Sequence, residues 1–304
     1  MYFLRRLISL VPLVVVISFL AFCLVRVAPG GPFDKDRAPA SPEVEKQLKA
    51  KYHLDKHLLV QYWIYLKGLL RGDLGPSLKY RNHTVNDIIL QGLPISLALG
   101  GTAFLFALGV GIPLGFFTAV YKGKWADYAG SFLALLFFCI PAFVVGPALI
   151  MVVAIKLEWL PVALWGSPLH VVLPTVTLGI YFAGRVARLM REGMMTTLNA
   201  EFMTTARAKG LSEPAALLKH AFRLGALPVL SYSGPLLADL LTGSFVVENL
   251  FQIPGIGVFM VNSSLSRDYT MVVGLVLLYA VLLLLLNLAV DLGYALLDPR
   301  VRYE

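Results

Sequence analysis

Residues 201–230 read EFMTTARAKGLSEPAALLKHAFRLGALPVL, a basic, amphipathic stretch broken by glycine. It joins two strongly apolar runs, near Val171–Met190 and Leu227–Val247. A helix needs about 20 apolar residues to cross a bilayer, so the stretch reads as a connection between two crossings. Working outward, four more runs of this kind lie near Ile8–Val27, Leu93–Val120, Gly130–Ile155 and Met271–Tyr294. Charged residues make up only 14% of the chain and the mean hydropathy is +0.75, whereas soluble domains carry about 25% charge. The expected fold class is an all-α polytopic membrane protein with six transmembrane helices.

Lys and Arg in short loops set the orientation, because cationic loops resist translocation. Arg5 and Arg6 precede the first run, and Lys122 and Lys124 separate the second from the third. Arg185, Arg188, Arg191, Arg207, Lys209, Lys219 and Arg223 surround the opening stretch, and Arg300 and Arg302 follow the last run. Lys156, Arg267 and Arg26 fall on the other side. Both termini and the opening stretch are therefore expected in the cytoplasm. The net charge of +8 is this topology signal, and nucleic acid is not expected as a partner. The first run exceeds the roughly 7–15 residues of a signal-peptide core and lacks an A-x-A site, so it reads as an uncleaved span. The sequence divides into residues 1–27, an extracytoplasmic loop over 28–92, and a core of five spans over 93–304 that contains the cytoplasmic loop 191–226.

In the outer loop, Ser41 and Pro42 open one helix and Asp55 is expected to cap a second, with Gly72 as its terminator. Leu59, Tyr62, Trp63, Leu66, Leu69 and Leu70 fall on one stripe of that second helix. It suits the outer membrane surface, the protein's own spans or an external partner. Gly111 and Gly115, four apart in the second span, permit another backbone to approach closely. Pro141 and Pro147 predict kinks in the third. Pro254-Gly255 suits the centre of a type II turn between the fifth and sixth.

Cys23 and Cys139, the two cysteines of the chain, both fall in spans as small packing residues. The chain has no G-x-x-x-x-G-K-[ST], H-E-x-x-H or G-x-S-x-G motif, so it reads as non-catalytic, with no cofactor of its own. His53 and His57 share a helical spacing but lack a third ligand, and no metal site is expected. Ionisable groups within spans are costly and therefore informative. Ser231, Pro235, Asp239 and Thr242 recur every three or four residues in the fifth span. They either line a passage or, through Asp239, pair with a cation on another helix. Asn287 and Asp291 share a face near the end of the sixth span, where a helix-end salt bridge fits.

Within the opening stretch, Leu198, Phe202 and Ala206 are expected on one face of a first helix. Gly210 ends it, because glycine takes the left-handed cap without steric cost. Ser212 and Pro214 start a second helix, whose stripe is Leu217, Ala221 and Leu224. A helix-turn-helix of this outline could read DNA in isolation, but tethering to two spans argues against it. A plain connector needs no bend with small residues, whereas docking into a partner's groove does.

The segment TTARAKGLSE is similar to the EAA loop of ATP-binding cassette importer permeases, in the form seen in the dipeptide and oligopeptide branch. RRLISLVPLVVVISFLAFCLVRVAPGGPF, GDLGPS, IPGIG, RDYTMV and NLAVDLGYALLDPRVRY resemble the same branch. AKYHLDKHLLVQYWIYLKGLLRGDLGPSLKYRNHTVND is most like the B-type subunits of its oligopeptide members. The family's Glu-Ala-Ala and following Gly fall on Thr204, Thr205, Ala206 and Gly210, so a carboxylate role at the first place is unsupported here. The resemblance implies a type I importer permease fold in a bacterial inner membrane. It implies a homologous second permease subunit, two ATPase subunits holding ATP and Mg, an extracytoplasmic peptide-binding protein and a peptide substrate. Glu201, Thr204, Thr205, Ala206, Arg207, Lys209 and Gly210 would then form the ATPase-coupling loop, and Ser231, Asp239 and Thr242 would line the passage. Dipeptide, nickel or glutathione import within the family stays open. A proton-coupled secondary transporter using Asp239 is the rival of another class.

Overall fold

A computed structural model describes residues 2–27, 43, 46–47, 50, 52–80, 82–241 and 245–297, with side chains described from 10 to 289 of these. Ser41, Pro42, Thr242, Arg300 and Arg302, and the side chains of Arg5, Arg6 and Asp291, lie outside the described residues. No strand occurs among the described residues. The helices are α1 (Tyr2–Val27), α2 (Leu58–Leu69), α3 (Val85–Val120), α4 (Trp125–Cys139), α5 (Ala142–Leu149) with a π-helical extension (Ile150–Lys156), and α6 (Pro168–Leu198). Then follow α7 (Glu201–Ala208), α8 (Glu213–Ala215), which runs through a π-helical stretch (Ala216–Ala221) into α9 (Phe222–Gly225), α10 (Leu227–Leu241), α11 (Phe245–Leu250), α12 (Ile256–Ser266) and α13 (Tyr269–Leu297).

Among the described residues five helical segments are long and apolar enough to span a membrane, and a broken pair is together long and apolar enough to supply a sixth crossing. In that pair, Trp125–Cys139 and Ala142–Lys156 bend by 101°. The cause is local. Ile140 precedes Pro141 and is driven to an extended backbone, φ −86° and ψ 118°, which stops the helix. The sequence predicts a kink, and the structure has a full break.

The chain forms two compact units. The first comprises Met1–Pro94 and Gly255–Leu282. One of its cores joins Ala21 and Phe22 of α1 to Val273 and Leu277 of α13, with Tyr62, Tyr65 and Leu69 of α2 packed on them. The second joins Val85, Ile88 and Ile89 to Ile256, Met271 and Leu275. The predicted α2 stripe is split: Tyr62 and Leu69 face the core, while Leu59, Trp63 and Leu70 are exposed. His57, not Asp55, caps α2, its Nδ1 accepting from Leu59 N at 3.4 Å. Gly255 has φ −92° and caps α12, so Pro254-Gly255 does not centre a type II turn, which needs φ > 0 at its glycine.

The second unit comprises Ile95–Pro254 and Leu283–Glu304. Its core runs from Leu99 and Ala103 through Val186, Met190 and Met194 to Leu236, Leu240 and Phe251. Here α6 is central. A Cβ on Gly111 or Gly115 of α3 would collide with the carbonyls of Ala183 and Ala187, and one on Gly184 of α6 with that of Ala134 in α4. The expected close approach at Gly111 and Gly115 is therefore made, onto α6. Arg191 of α6 also donates to both carboxylate oxygens of Asp127 at the start of α4, at 3.0 and 3.1 Å. The same carboxylate accepts from Gly123 N at 3.0 Å and Ser131 Oγ at 3.2 Å. That cluster fastens the turn before α4 to the last turns of α6.

Candidate functional site

The last turns of α6 carry the opening stretch of sequence. Gly193 meets Gly225 backbone to backbone, and Met194 packs over Gly225. A side chain at Gly193 would force the two segments apart, and one at Gly225 would displace the Met194 side chain. Ala200, in extended conformation, caps α7 without a side-chain bond, and Glu201 places a carboxylate in the first turn, where the helix dipole favours it. Met203 and Ala206 are the buried residues of α7. They belong, with Ala216 and Ala221 of the π-helical stretch, to the inward side of the connection. Glu201, Phe202, Thr204, Thr205, Arg207 and Lys209 face outward.

Two sequence expectations change. Phe202 is 38% exposed, at the rim of the face it shares with Ala206, because the buried side of α7 is centred between Met203 and Ala206. Leu198 ends α6 before the extended Ala200 and so is not in register with it. Counting from Glu201, Met203 and Ala206 are the pair three apart that turns inward. Leu224 is likewise 44% exposed rather than continuing the Leu217–Ala221 stripe. The π-helical turn over Ala216–Ala221 takes more residues than an α turn and shifts the later side chains round the axis.

Gly210 behaves as the sequence predicts. It has φ +81°, and its N–H bonds the Arg207 carbonyl at 2.9 Å while Leu211 N reaches that of Ala206 at 3.3 Å. Ser212 holds the cap position of α8 but makes no side-chain cap bond. A fork closes the bend instead: Arg207 Nε and Nη2 donate to Glu213 Oε2 and Oε1 at 3.1 and 2.7 Å. The guanidinium, first by these hydrogen bonds, holds the Glu213 carboxyl below its ordinary value, and Arg207 is raised in turn. What emerges is a short helix seated on the π-helical stretch Ala216–Ala221, with Met203 and Ala206 turned inward. Its outward face of Phe202, Thr204 and Thr205 is flanked by Lys209.

In α10, the buried side is Val229, Gly234, Leu236, Ala238, Leu240 and Leu241. Ser231, Pro235 and Asp239 all lie on the opposite, exposed side, and Thr242 falls outside the described residues. Ser231 Oγ returns to the Leu227 carbonyl at 2.9 Å. Arg185 of α6 is the cation that acts on Asp239, and its guanidinium also lies 4.4 Å from the centre of the Tyr232 ring. The stripe is thus on a face that this chain does not cover, with a cation beside its carboxylate. Glu248 escaped the sequence reading. It is fully buried in α11 and accepts from Ser96 Oγ of α3 at 2.8 Å. A carboxylate in the apolar run FVVENLF was the available signal. Among the described residues no cluster of His, Cys, Asp or Glu forms a metal site.

Comparison with known proteins adds independent information. Residues 111–303 match the family described as "Binding-protein-dependent transport system inner membrane component". Residues 1–100 match its companion, "Binding-prot-dependent transport system membrane comp, N-term". An oligopeptide transport system permease protein of Haemophilus influenzae is 41% identical over 301 residues, covering 98% of each chain. A dipeptide transport system permease protein of Bacillus subtilis is also 41% identical over 301 residues, covering 99% of this chain and 97% of the relative. Among solved structures, an inward-facing methionine ABC transporter, MetNI, overlays with a TM-score of 0.58 at 17% identity, covering 69% of this chain and 96% of that one. At that identity the overlay speaks for the fold.

Proposed function

The chain belongs to the family of binding-protein-dependent transport system inner membrane components, and on that premise we propose that it is the permease subunit of an ATP-driven oligopeptide importer. It is a multi-pass protein of the bacterial inner membrane. In this reading it forms half of a translocation pathway with a homologous second permease. Two cytoplasmic ATPase subunits supply ATP and Mg chemistry, and an extracytoplasmic binding protein delivers the peptide. The observation that carries the reading is the outward face of α7, presented on a bend that Gly210 turns and the Arg207–Glu213 fork closes. A helix that merely linked two spans would have no reason to be braced twice. Glu201, Thr204, Thr205, Arg207 and Lys209 meet the ATPase, and Ala206 and Gly210 shape the helix that does so. Ser231, Asp239 and Thr242 face the passage.

The chain itself is the non-catalytic part. A nucleotide shifts inward-open and outward-open states only by binding them differently, and here that difference reaches the permease through α7. The test is uptake of labelled peptide into proteoliposomes holding the assembled complex, with ATP inside or outside, alongside Phe202→Asp and Gly210→Leu. Wild-type uptake follows ATP and ignores a proton gradient. Both variants insert normally but lose most uptake, and Phe202→Asp also loses ATPase subunits on co-purification. Uptake that tracks the proton gradient without ATP would transfer the reading to an ion-coupled carrier. Dipeptides, glutathione and nickel run in the same assay define the cargo.

A further inference from the structure

The first unit contains a cavity of about 270 Å³ whose wall includes Arg26, Tyr52, Gln61, Tyr65, Asp73 and Tyr269. Arg26 lies one residue from the end of α1. Its Nε donates to Gln61 Oε1 at 3.0 Å and its Nη1 to the Phe22 carbonyl at 3.2 Å. The guanidinium carbon lies 3.4 Å from the Phe22 ring centre and 5.5 Å from that of Tyr269. All of these partners are neutral. Among the described residues no carboxylate pairs with Arg26; Asp73 turns its Oδ1 to Gly75 N, 2.9 Å away. On the same wall the Tyr65 hydroxyl is buried and has no hydrogen-bond partner among the described residues. Burial, with Tyr62 adding to it and Arg26 opposing, raises its pKa well above the phenol range, so it stays a donor. A half-buried cation without a counter-charge and a buried donor without an acceptor are each unfavourable. An anion with more than one oxygen relieves both at once.

Position selects the anion. Along α1, Val16, Leu20, Leu24 and Val27 are exposed, so Arg26 stands where the apolar surface of the span ends. Beside it, α2 has no buried residue and exposes Leu59, Val60 and Trp63, with the Lys67 ammonium 5.4 Å from the Trp63 ring centre. An apolar helix with an exposed tryptophan and a lysine at its rim is built for the bilayer interface. Phosphate groups lie at that depth, and Ile64 and Leu78 on the cavity wall suit the glycerol and first methylenes below a phosphate. We propose that the Arg26 cavity binds the phosphate of an outer-leaflet phospholipid, with the guanidinium and the Tyr65 hydroxyl as its donors.

The experiment titrates the purified full-length protein in detergent with dioctanoyl phosphatidylglycerol, followed by isothermal calorimetry. Dioctanoylglycerol, which lacks the phosphate, and inorganic phosphate are run in parallel. Saturable binding is expected for the phospholipid alone. Arg26→Gln should weaken it about tenfold or more, as expected when a charge-assisted hydrogen bond is lost. Tyr65→Phe removes only one oxygen, retains the core contacts with Phe22, and should weaken it about threefold to tenfold. Arg26→Lys should recover part of the loss, because it restores the charge without the fork. Equal binding of dioctanoylglycerol, displacement of the lipid by inorganic phosphate at matched concentration, or unaltered affinity in a monodisperse Tyr65→Phe protein would each overturn the proposal.

Discussion

Asp268 has no exposed surface, yet among the described residues it is the most heavily used carboxylate of the first unit. One oxygen accepts from Ser77 Oγ and from Leu78 and Lys79 N at 3.1 Å each. The other accepts from Thr270 Oγ1 at 3.1 Å and Met271 N at 3.2 Å, capping α13. The motifs GDLGPS and RDYTMV are legible in the sequence as separate signatures. That they meet is not, because Ser77 and Asp268 are 191 residues apart and no local periodicity links them. Asp268→Ala removes the acceptor shared by three backbone N–H groups and the hydroxyls of Ser77 and Thr270. At about 1–3 kcal/mol per orphaned buried group, the expected outcome is a lowered melting temperature and rapid proteolysis within residues 72–84. Asp268→Asn should be intermediate. Glycines make the opposite kind of prediction. Gly115→Val must drive α3 off the Ala187 carbonyl, an overpacking cost of about 1–3 kcal/mol. A Cβ at Gly109 meets nothing within 4 Å, so Gly109→Ala should be neutral or slightly stabilising. Thermal unfolding of the two variants in detergent separates them. In the sequence Gly109, Gly111 and Gly115 look alike, and only the facing helix distinguishes them.

At the scale of elements, the pH response belongs to the bend between α7 and α8. Glu213 has a depressed pKa in the folded chain, so its ion pair stabilises the bend fully above the unfolded carboxylate value of about 4.3. That contribution is lost as pH falls through the lower, folded value. Arg207 is raised and stays charged throughout this window. Hydrogen exchange of the 207–213 amides, corrected for intrinsic rates, should therefore be flat from pH 6 to 8 and lose protection only on the acid side of the carboxylate range. Glu213→Gln should show the faster exchange from pH 6 to 8 and converge with wild type once Glu213 is protonated. The helix, the glycine break and the second helix are legible in the sequence because each has its own stop or start residue. The exposure of Phe202 and Leu224 is not, because Phe202 sits at the rim of a face whose centre only the packing shows, and Leu224 follows a turn that widens. A chain-wide 3.6-residue count carries across Ala200 and the π-helical turn as though neither were there. The break at Ile140 was masked in the same way: a proline marks a bend without stating its angle.

For the whole molecule, the six apolar runs fix how many crossings the chain makes, since length and hydropathy act segment by segment. How those crossings divide is a tertiary property. The return of Gly255–Leu282 to the first unit has no signature in composition. In the proposed reading transport belongs to an assembled complex, and Asp239 is where that reading can be probed. In the passage reading, Asp239→Asn keeps the complex intact and shifts relative uptake of cationic against anionic peptides severalfold. If Arg185 and Asp239 instead serve packing, the same change lowers the yield of complex and leaves the ratio alone. Competition uptake with Lys- and Glu-containing peptides, beside a co-purification yield, decides between them. Gly111, Gly115 and Gly184 seat α6 against its neighbours near its middle, and the connection to α7 hangs from one end. At 1.5 Å per residue, α6 extends about 20 Å on either side of Gly184. A rigid tilt of about 5° about that middle, imposed at the α7 end, would move the far end about 2 Å the opposite way, roughly the difference between admitting and excluding a water molecule.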